Sequence, residues 1–203
     1  MLRRGKMKKI IIALIILAMV LSVLIPVLSF TQSSYLSSAR TLERLGILRG
    51  YSSGSLGVND YLKRQDMVVL ISRLYSSEDI ARNSLSTHNF TDIKNSFYDP
   101  YIGWAVSRGL INGRSATIFG YNQYVTMQEF QTVLLRVLNY NEEAQLWNTV
   151  PQIAARLGLM RGVRNSPRES ITRGQLSHMV LNSLSKNQKG STLTLGYVLG
   201  LDF

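Results

Sequence analysis

Cysteine is absent from the 203 residues, so neither a disulfide framework nor a thiolate metal site is open to this chain. Histidine occurs twice, and neither His88 nor His178 has an acid or a nucleophile at a motif-like spacing. No glycosidase, hydrolase or P-loop signature is present. Gly50, Gly54 and Gly57 follow a helical stretch instead of a strand and lack the lysine of a phosphate loop. The carboxylates Asp92 and Asp99 could form a pair, but Asp92 reads better as an Asx-type brace of the turn entering the next helix. The chain therefore reads as a non-enzyme with no cofactor and no metal.

Acid is scarce: 12 Asp and Glu stand against 23 Lys and Arg, a formal charge of +11. Five of the basic residues lie in the first nine positions and no acid precedes Glu43, so the remainder carries 18 basic residues against 12 acids. Between 144 and 189 seven basic residues face Glu169 alone, whereas 30–143 is close to neutral. A one-sided positive field draws anionic partners; the bland alternative is a solvated basic face. Hydrophobic residues make up 45% and charged residues 17%, a composition that folds and is not disordered.

Charge is missing altogether from 10–30, behind the basic start Arg3, Arg4, Lys6, Lys8 and Lys9. A basic start followed by an apolar run is an export signal. The run is near the ~20 residues that span a bilayer. It is either cleaved after Ser29 or retained as an anchor with its basic flank on the cytoplasmic side. Export makes nucleic acid an improbable partner. Residues 31–38 are serine-rich and read as a linker.

Beyond them the chain repeats. Gly46-Ile47-Leu48-Arg49-Gly50 leads to a helix start at Arg64, and Gly109-Leu110-Ile111-Asn112-Gly113 to one at Met127, each 18 positions on. Gly158-Leu159-Met160-Arg161-Gly162 leads to Arg173 after 15, so the third copy has lost three loop residues. Each glycine turn ends one helix in the left-handed conformation. Thr126, three before Glu129, has the spacing of a capping box. Apolar stripes mark the helices: Leu36, Ala39, Leu42 and Leu45, then Met67, Val68, Ile71 and Leu74, and in the third copy Leu176, Met179, Val180 and Leu184. Residues 76–89 read as a polar connection, and 146–159 as a helix that tolerates Pro151 only in its first turn. The tail alternates Leu193, Leu195 and Tyr197, a short strand or a docked segment. A fixed period of units that cannot each bury an apolar face indicates a repeat architecture.

The middle copy opens Phe90-Thr91-Asp92-Ile93, passes an aromatic helix at Trp104, and closes on Thr126-Met127-Gln128-Glu129-Phe130. This resembles the S-layer homology repeat: F-x-D-V, an aromatic-bearing helix, G-I-I-x-G, a short prong, and I-T-R-A-E-F opening a second helix. The resemblance covers about 35–185. Met127 stands where the family has arginine. The first copy has Lys63 where the capping threonine belongs, and the third keeps Ile171-Thr172-Arg173 without the F-x-D opening. It implies an all-α fold of three helix–loop–helix repeats around a pseudo-threefold axis. The domains are then 1–30 as signal or anchor, 31–185 with repeats at about 35–80, 90–140 and 146–185, and a tail at 186–203.

Arg64 and Arg173 at helix starts oppose the helix dipole, which favours anions there. Either guanidinium and free amides together hold an anion, or each arginine pairs with an acid from another repeat. The resemblance implies the former: binding of an anionic, commonly pyruvylated, secondary cell-wall polysaccharide in grooves between repeats, with Arg64 and Arg173 as contacts and Gly50, Gly113 and Gly162 beside the groove. Tyr121 and Tyr124 lie near the prong and could stack on sugar, whereas Trp104 reads as core. The alternative is a membrane-anchored structural or protein-interaction module, with an envelope protein as partner, whose repeats no longer bind sugar.

Overall fold

The computed structural model describes residues 12, 14–15, 33–93 and 96–203. The apolar run at 10–30 and its cleavage position lie almost wholly outside the described residues, among which no helix is long and apolar enough to cross a membrane. The chain divides into Met1–Ser34 and Tyr35–Phe203, and the repeats occupy the second unit.

Its elements are helical. Helix α1 covers 33–44, α2 Arg64–Leu74, α3 Glu78–Arg82, α4 Asp99–Ser107, α5 Met127–Val137, α6 Val150–Arg156, α7 Arg173–Leu184 and α8 Leu195–Val198. The pairs α1/α2, α4/α5 and α6/α7 are the three repeats, and among the described residues there is no β-sheet. The glycine turns end their helices as expected, with φ of 73° at Gly46, 67° at Gly109 and 76° at Gly158. The apolar stripes meet in one core that includes Leu42, Ile71, Trp104, Phe130, Leu134 and Met179. Trp104 is core, as its size favoured.

A closed ring of backbone hydrogen bonds fixes the pseudo-threefold axis. Leu62 N–H donates to the Ile171 carbonyl at 3.1 Å, Ile171 to Val125 at 2.9 Å, and Val125 back to Leu62 at 2.9 Å. These three residues each stand two before a helix start. One step out, the N–H groups of Arg64, Met127 and Arg173 donate to the carbonyls of Gln123, Glu169 and Asp60, all at 2.9 Å. The first free amides of each helix are thereby satisfied by the next repeat's loop, which a helix N-terminus needs from somewhere. Lone antiparallel bridges Tyr61–Thr172, Lys63–Tyr124 and Thr126–Ser170 complete the same symmetry.

Several local readings need correction. Residues 33–38 are helical and belong to α1 instead of a linker, and Leu36 among them is exposed; residues 31–32 lie outside the described residues. The connection 76–89 contains α3, held because Glu78 accepts pairs from Arg49, Arg73 and Arg82. The helix expected over 146–159 is shorter: 3₁₀ turns at Glu143–Gln145 and Trp147–Thr149 precede α6, which has Pro151 in its first turn. The tail is docked and helical. Leu195 is buried while Leu193 and Tyr197 are exposed, so the alternation does not mark a strand. Asp92 braces a different place from the turn beside it. Its carboxylate accepts from the N–H groups of Phe119, Gly120 and Tyr121 at 2.9, 2.8 and 2.9 Å, closing the far end of the prong. Burial pushes the Asp92 carboxyl up, but the donors from Tyr121, Phe119 and Gly120 outweigh it and leave it below its ordinary value.

Candidate functional site

Each helix start sits against the glycine turn and prong of the next repeat, so there are three equivalent junctions. At the first, Arg64 of α2 lies on the second repeat's prong. Its Nε donates to the Phe119 carbonyl at 2.9 Å, Nη2 to the Asn112 carbonyl at 3.1 Å, and the guanidinium lies 4.9 Å from the Phe119 ring centroid. Nη1 pairs with Glu129 Oε1 at 2.9 Å. Arg64 is 4% exposed. Burial pushes its pKa down, and Glu129 holds it up in part. Here the pairing of an arginine with an acid from another repeat is what the structure contains.

Arg173 makes the same approach to the first repeat's prong. Nε donates to the Leu56 carbonyl at 2.9 Å, Nη2 to the Arg49 carbonyl at 2.7 Å, and the Tyr51 ring centroid lies 5.1 Å away. Position for position, Leu56 matches Phe119 and Arg49 matches Asn112. The acid differs. Asp66, which matches Glu129, accepts instead from the Tyr98 hydroxyl at 2.8 Å, and Arg173 has no carboxylate within ion-pair distance among the described residues. The carbonyls that anchor both arginines belong to loops 48 to 124 residues away in sequence, a signal that the matched spacing of the repeats could have supplied.

The third junction pairs Met127 with the shortened loop of repeat three. Met127 is fully buried, and its neighbour Gln128 donates N–H to the Pro167 carbonyl at 3.0 Å and Nε2 to the Trp147 carbonyl at 2.6 Å. A cavity of about 770 Å³ opens beside this helix start. Its walls carry Arg64, Arg114, Arg136 and Arg168 against a single acid, Glu129, with Trp147 at one side. Glu129 is fully engaged: Oε1 pairs with Arg64 and with Arg114 Nε at 3.1 Å, and Oε2 caps Thr126 N–H at 2.8 Å. Burial pushes the Glu129 carboxyl up, but Arg64, the Thr126 amide and Arg114 pull it lower still. Arg136 donates to the Leu110 carbonyl at 3.3 Å. The Asn112 amide, oriented to satisfy its neighbours, accepts from Arg136 Nη2 at 3.0 Å. Burial pushes the Arg136 pKa down.

The other candidates separate. Gly113 lines the same cavity as Arg64. A Cβ on it would strike Phe90 and the carbonyls of Ser115 and Ile118, so glycine there is a packing requirement. Gly50 is tight against the Ser55 carbonyl, near the Arg173 junction. Gly162, at φ 73°, abuts His178, whose Nδ1 lies 2.7 Å from Ser38 Oγ. Tyr124 does not line the cavity. It is exposed, its ring 5.5 Å from that of Tyr61, and its carbonyl accepts from Arg114. Tyr121 is half-buried and packs on Tyr98. The fold brings His88 to an acid that spacing had not suggested: Nε2 lies 2.7 Å from Asp99, while Nδ1 accepts the Phe90 N–H at 3.1 Å. Both ring nitrogens are therefore engaged. Among the described residues no group of three or more His, Cys, Asp or Glu could hold a metal ion.

The sequence model of the S-layer homology domain family matches residues 31–68 and 89–130. Those segments fall on the first two repeats and include Arg64, Gly113, Tyr124 and Glu129. The chain is 26% identical over 150 residues to the middle cell wall protein of Brevibacillus brevis, a match covering 72% of this chain and 14% of that protein. It is 24% identical over 131 residues to the surface layer protein of Brevibacillus choshinensis, covering 63% of this chain and 12% of that one. The chain thus corresponds to a small part of each relative.

Proposed function

From a chain that belongs to the S-layer homology family by its two matched repeats, we propose a non-catalytic module that attaches to the cell envelope by binding an anionic secondary cell-wall polysaccharide. The observation that carries this reading is Arg173, whose guanidinium is anchored by two carbonyls at a junction between repeats and has no acid partner among the described residues. An anchored guanidinium keeps its charge and its remaining donors for a carboxylate such as that of a pyruvylated sugar. Gly50 lies beside it on the prong. Names of the relatives, a cell wall protein and a surface layer protein, support an envelope location. On this reading residues 10–30 either direct export and are removed or tether the module to the membrane.

A second reading has its own support. Arg64 is neutralised by Glu129, and the third junction has Met127. Two of the three helix-start positions thus offer no free arginine, which favours a scaffold that binds an envelope protein. Sedimentation of the full chain with wall sacculi separates the two. Loss of co-sedimentation on extracting the secondary polysaccharide, and in Arg173→Ala, supports attachment through sugar. Sedimentation indifferent to both sinks that reading in favour of the scaffold.

A further inference from the structure

We propose that Met160 is a site of reversible oxidation by peroxide, and that the Gln131 side-chain amide on α5 is placed to receive the sulfoxide oxygen formed there. The inference is independent of what the module binds.

The chain has no cysteine, so its seven methionines carry all of its sulfur. Among the described residues Met67, Met127 and Met179 are 1%, 0% and 0% exposed, and Met160 alone is partly open at the edge of the core. The matched turns show what differs there. Met160 stands third in Gly158-Leu159-Met160, where the other repeats have Leu48 and Ile111, each 2% exposed. The loop that follows is three residues shorter in the third repeat, which leaves this place less covered. Its sulfur is nevertheless held by a polar group, since Gln131 Nε2 donates to Met160 Sδ at 3.0 Å. Gln131 is 2% exposed and its Oε1 is buried without a partner, whereas the matching place in α2 holds the apolar Val68. A thioether sulfur is a weak acceptor, so this buried amide is poorly satisfied by it, a state that costs free energy. Oxidation changes the acceptor. One oxygen passes from hydrogen peroxide to sulfur: the O–O bond breaks, a sulfur lone pair forms the S–O bond, and the rest of the peroxide leaves as water. A sulfoxide disrupts packing where its oxygen meets only apolar neighbours. Here the oxygen appears one bond away from a donor already aimed at the sulfur. The third repeat's turn is thereby fastened more firmly to α5 of the second, and reduction of the sulfoxide releases it.

The full chain is treated with dilute hydrogen peroxide, mapped by peptide mass spectrometry, and unfolded in urea before and after oxidation. Met160 is expected to gain oxygen about tenfold or more faster than Met67, Met127 and Met179, because a sulfur closed in a core reacts only when the fold opens. The oxidised chain is expected to keep or raise its urea midpoint, and methionine sulfoxide reductases to restore the starting mass and midpoint. In Gln131→Leu, which fills the space without a donor, Met160 still oxidises but its oxidation lowers the midpoint. Gln131→Val serves the same comparison if that variant does not fold. Met160→Leu, taking the residue of the first repeat, removes both the reaction at this turn and its effect on the midpoint. Equal oxidation rates at all four methionines overturn the proposal. So does a midpoint that responds to oxidation alike with and without the Gln131 amide.

Discussion

Glu129 serves three partners with two oxygens, and its loss would expose how differently they depend on it. In Glu129→Gln the amide oxygen can still cap Thr126, as Gln175 caps Thr172 in the third repeat. The charge, however, is gone from beside a guanidinium that is 5% exposed at its side chain. A buried cation stripped of its partner costs about 3–5 kcal/mol, against about 1 kcal/mol or less for Arg114→Ala at a half-exposed pair. Urea unfolding of the two variants should separate them by that margin; equal losses would mean that Arg64 is adequately held by its two carbonyls. The same group predicts an acid limb. Glu129 and Asp92 lie below their ordinary values of 4.5 and 3.8, so each binds its proton more weakly folded than unfolded. Their contribution is complete above those ordinary values and drains as the pH falls through the lower folded ones. Urea midpoints should therefore hold from neutrality to about pH 5 and decline below it, and Glu129→Gln should flatten the decline.

Helix starts show what one line of sequence can specify. Thr126 and Glu129 form the capping box their spacing announces, and Thr172 with Gln175 forms another. Lys63 offers α2 no side-chain cap, although its φ of −80° and ψ of 151° match those of the two threonines. Lys63→Thr should then stabilise the fold by about 0.5–1 kcal/mol and Thr126→Ala should cost about 1 kcal/mol, read as opposite shifts of the urea midpoint. No shift in Lys63→Thr would mean that the ring, by holding the Arg64 amide, already does most of a cap's work. These starts, the glycine turns and the buried stripes were legible because each is set by neighbours within four residues. Helix α3 was not, because its single buried residue is Ala81 and its hold is Glu78 meeting arginines from the first glycine turn, α2 and α3. Asp92 was misplaced for the same reason: its three amides are 27 to 29 residues away. The tail stayed open between a strand and a docked segment, the latter being what the structure has, because an alternation of three apolar residues says nothing about which of them finds a partner.

Across the whole molecule, the junctions form a cycle in which each helix start corresponds in position to the third helical residue of the next repeat. Arg64 meets Glu129 by contact, and by the symmetry of the backbone ring the matching positions are Asp66 for Arg173 and Gln175 for Met127. Two replacements therefore belong together: the second repeat lacks the arginine and the third lacks the acid that would pair with it. This dependence was latent in the matched offsets but became readable only once the ring showed which repeat follows which. It predicts a double-mutant cycle. Met127→Arg alone buries an unpaired cation at a fully enclosed position and should cost about 3 kcal/mol or more. Gln175→Glu alone keeps its capping box and should be nearly neutral, within about 0.5 kcal/mol. Combined, they should recover about 1–3 kcal/mol relative to their sum, measured by urea unfolding. Additive losses would show that the three residues missing from the third loop have carried its carbonyls and its acid position out of register, so that the pseudo-threefold relation holds for the backbone ring and not for the junctions around it.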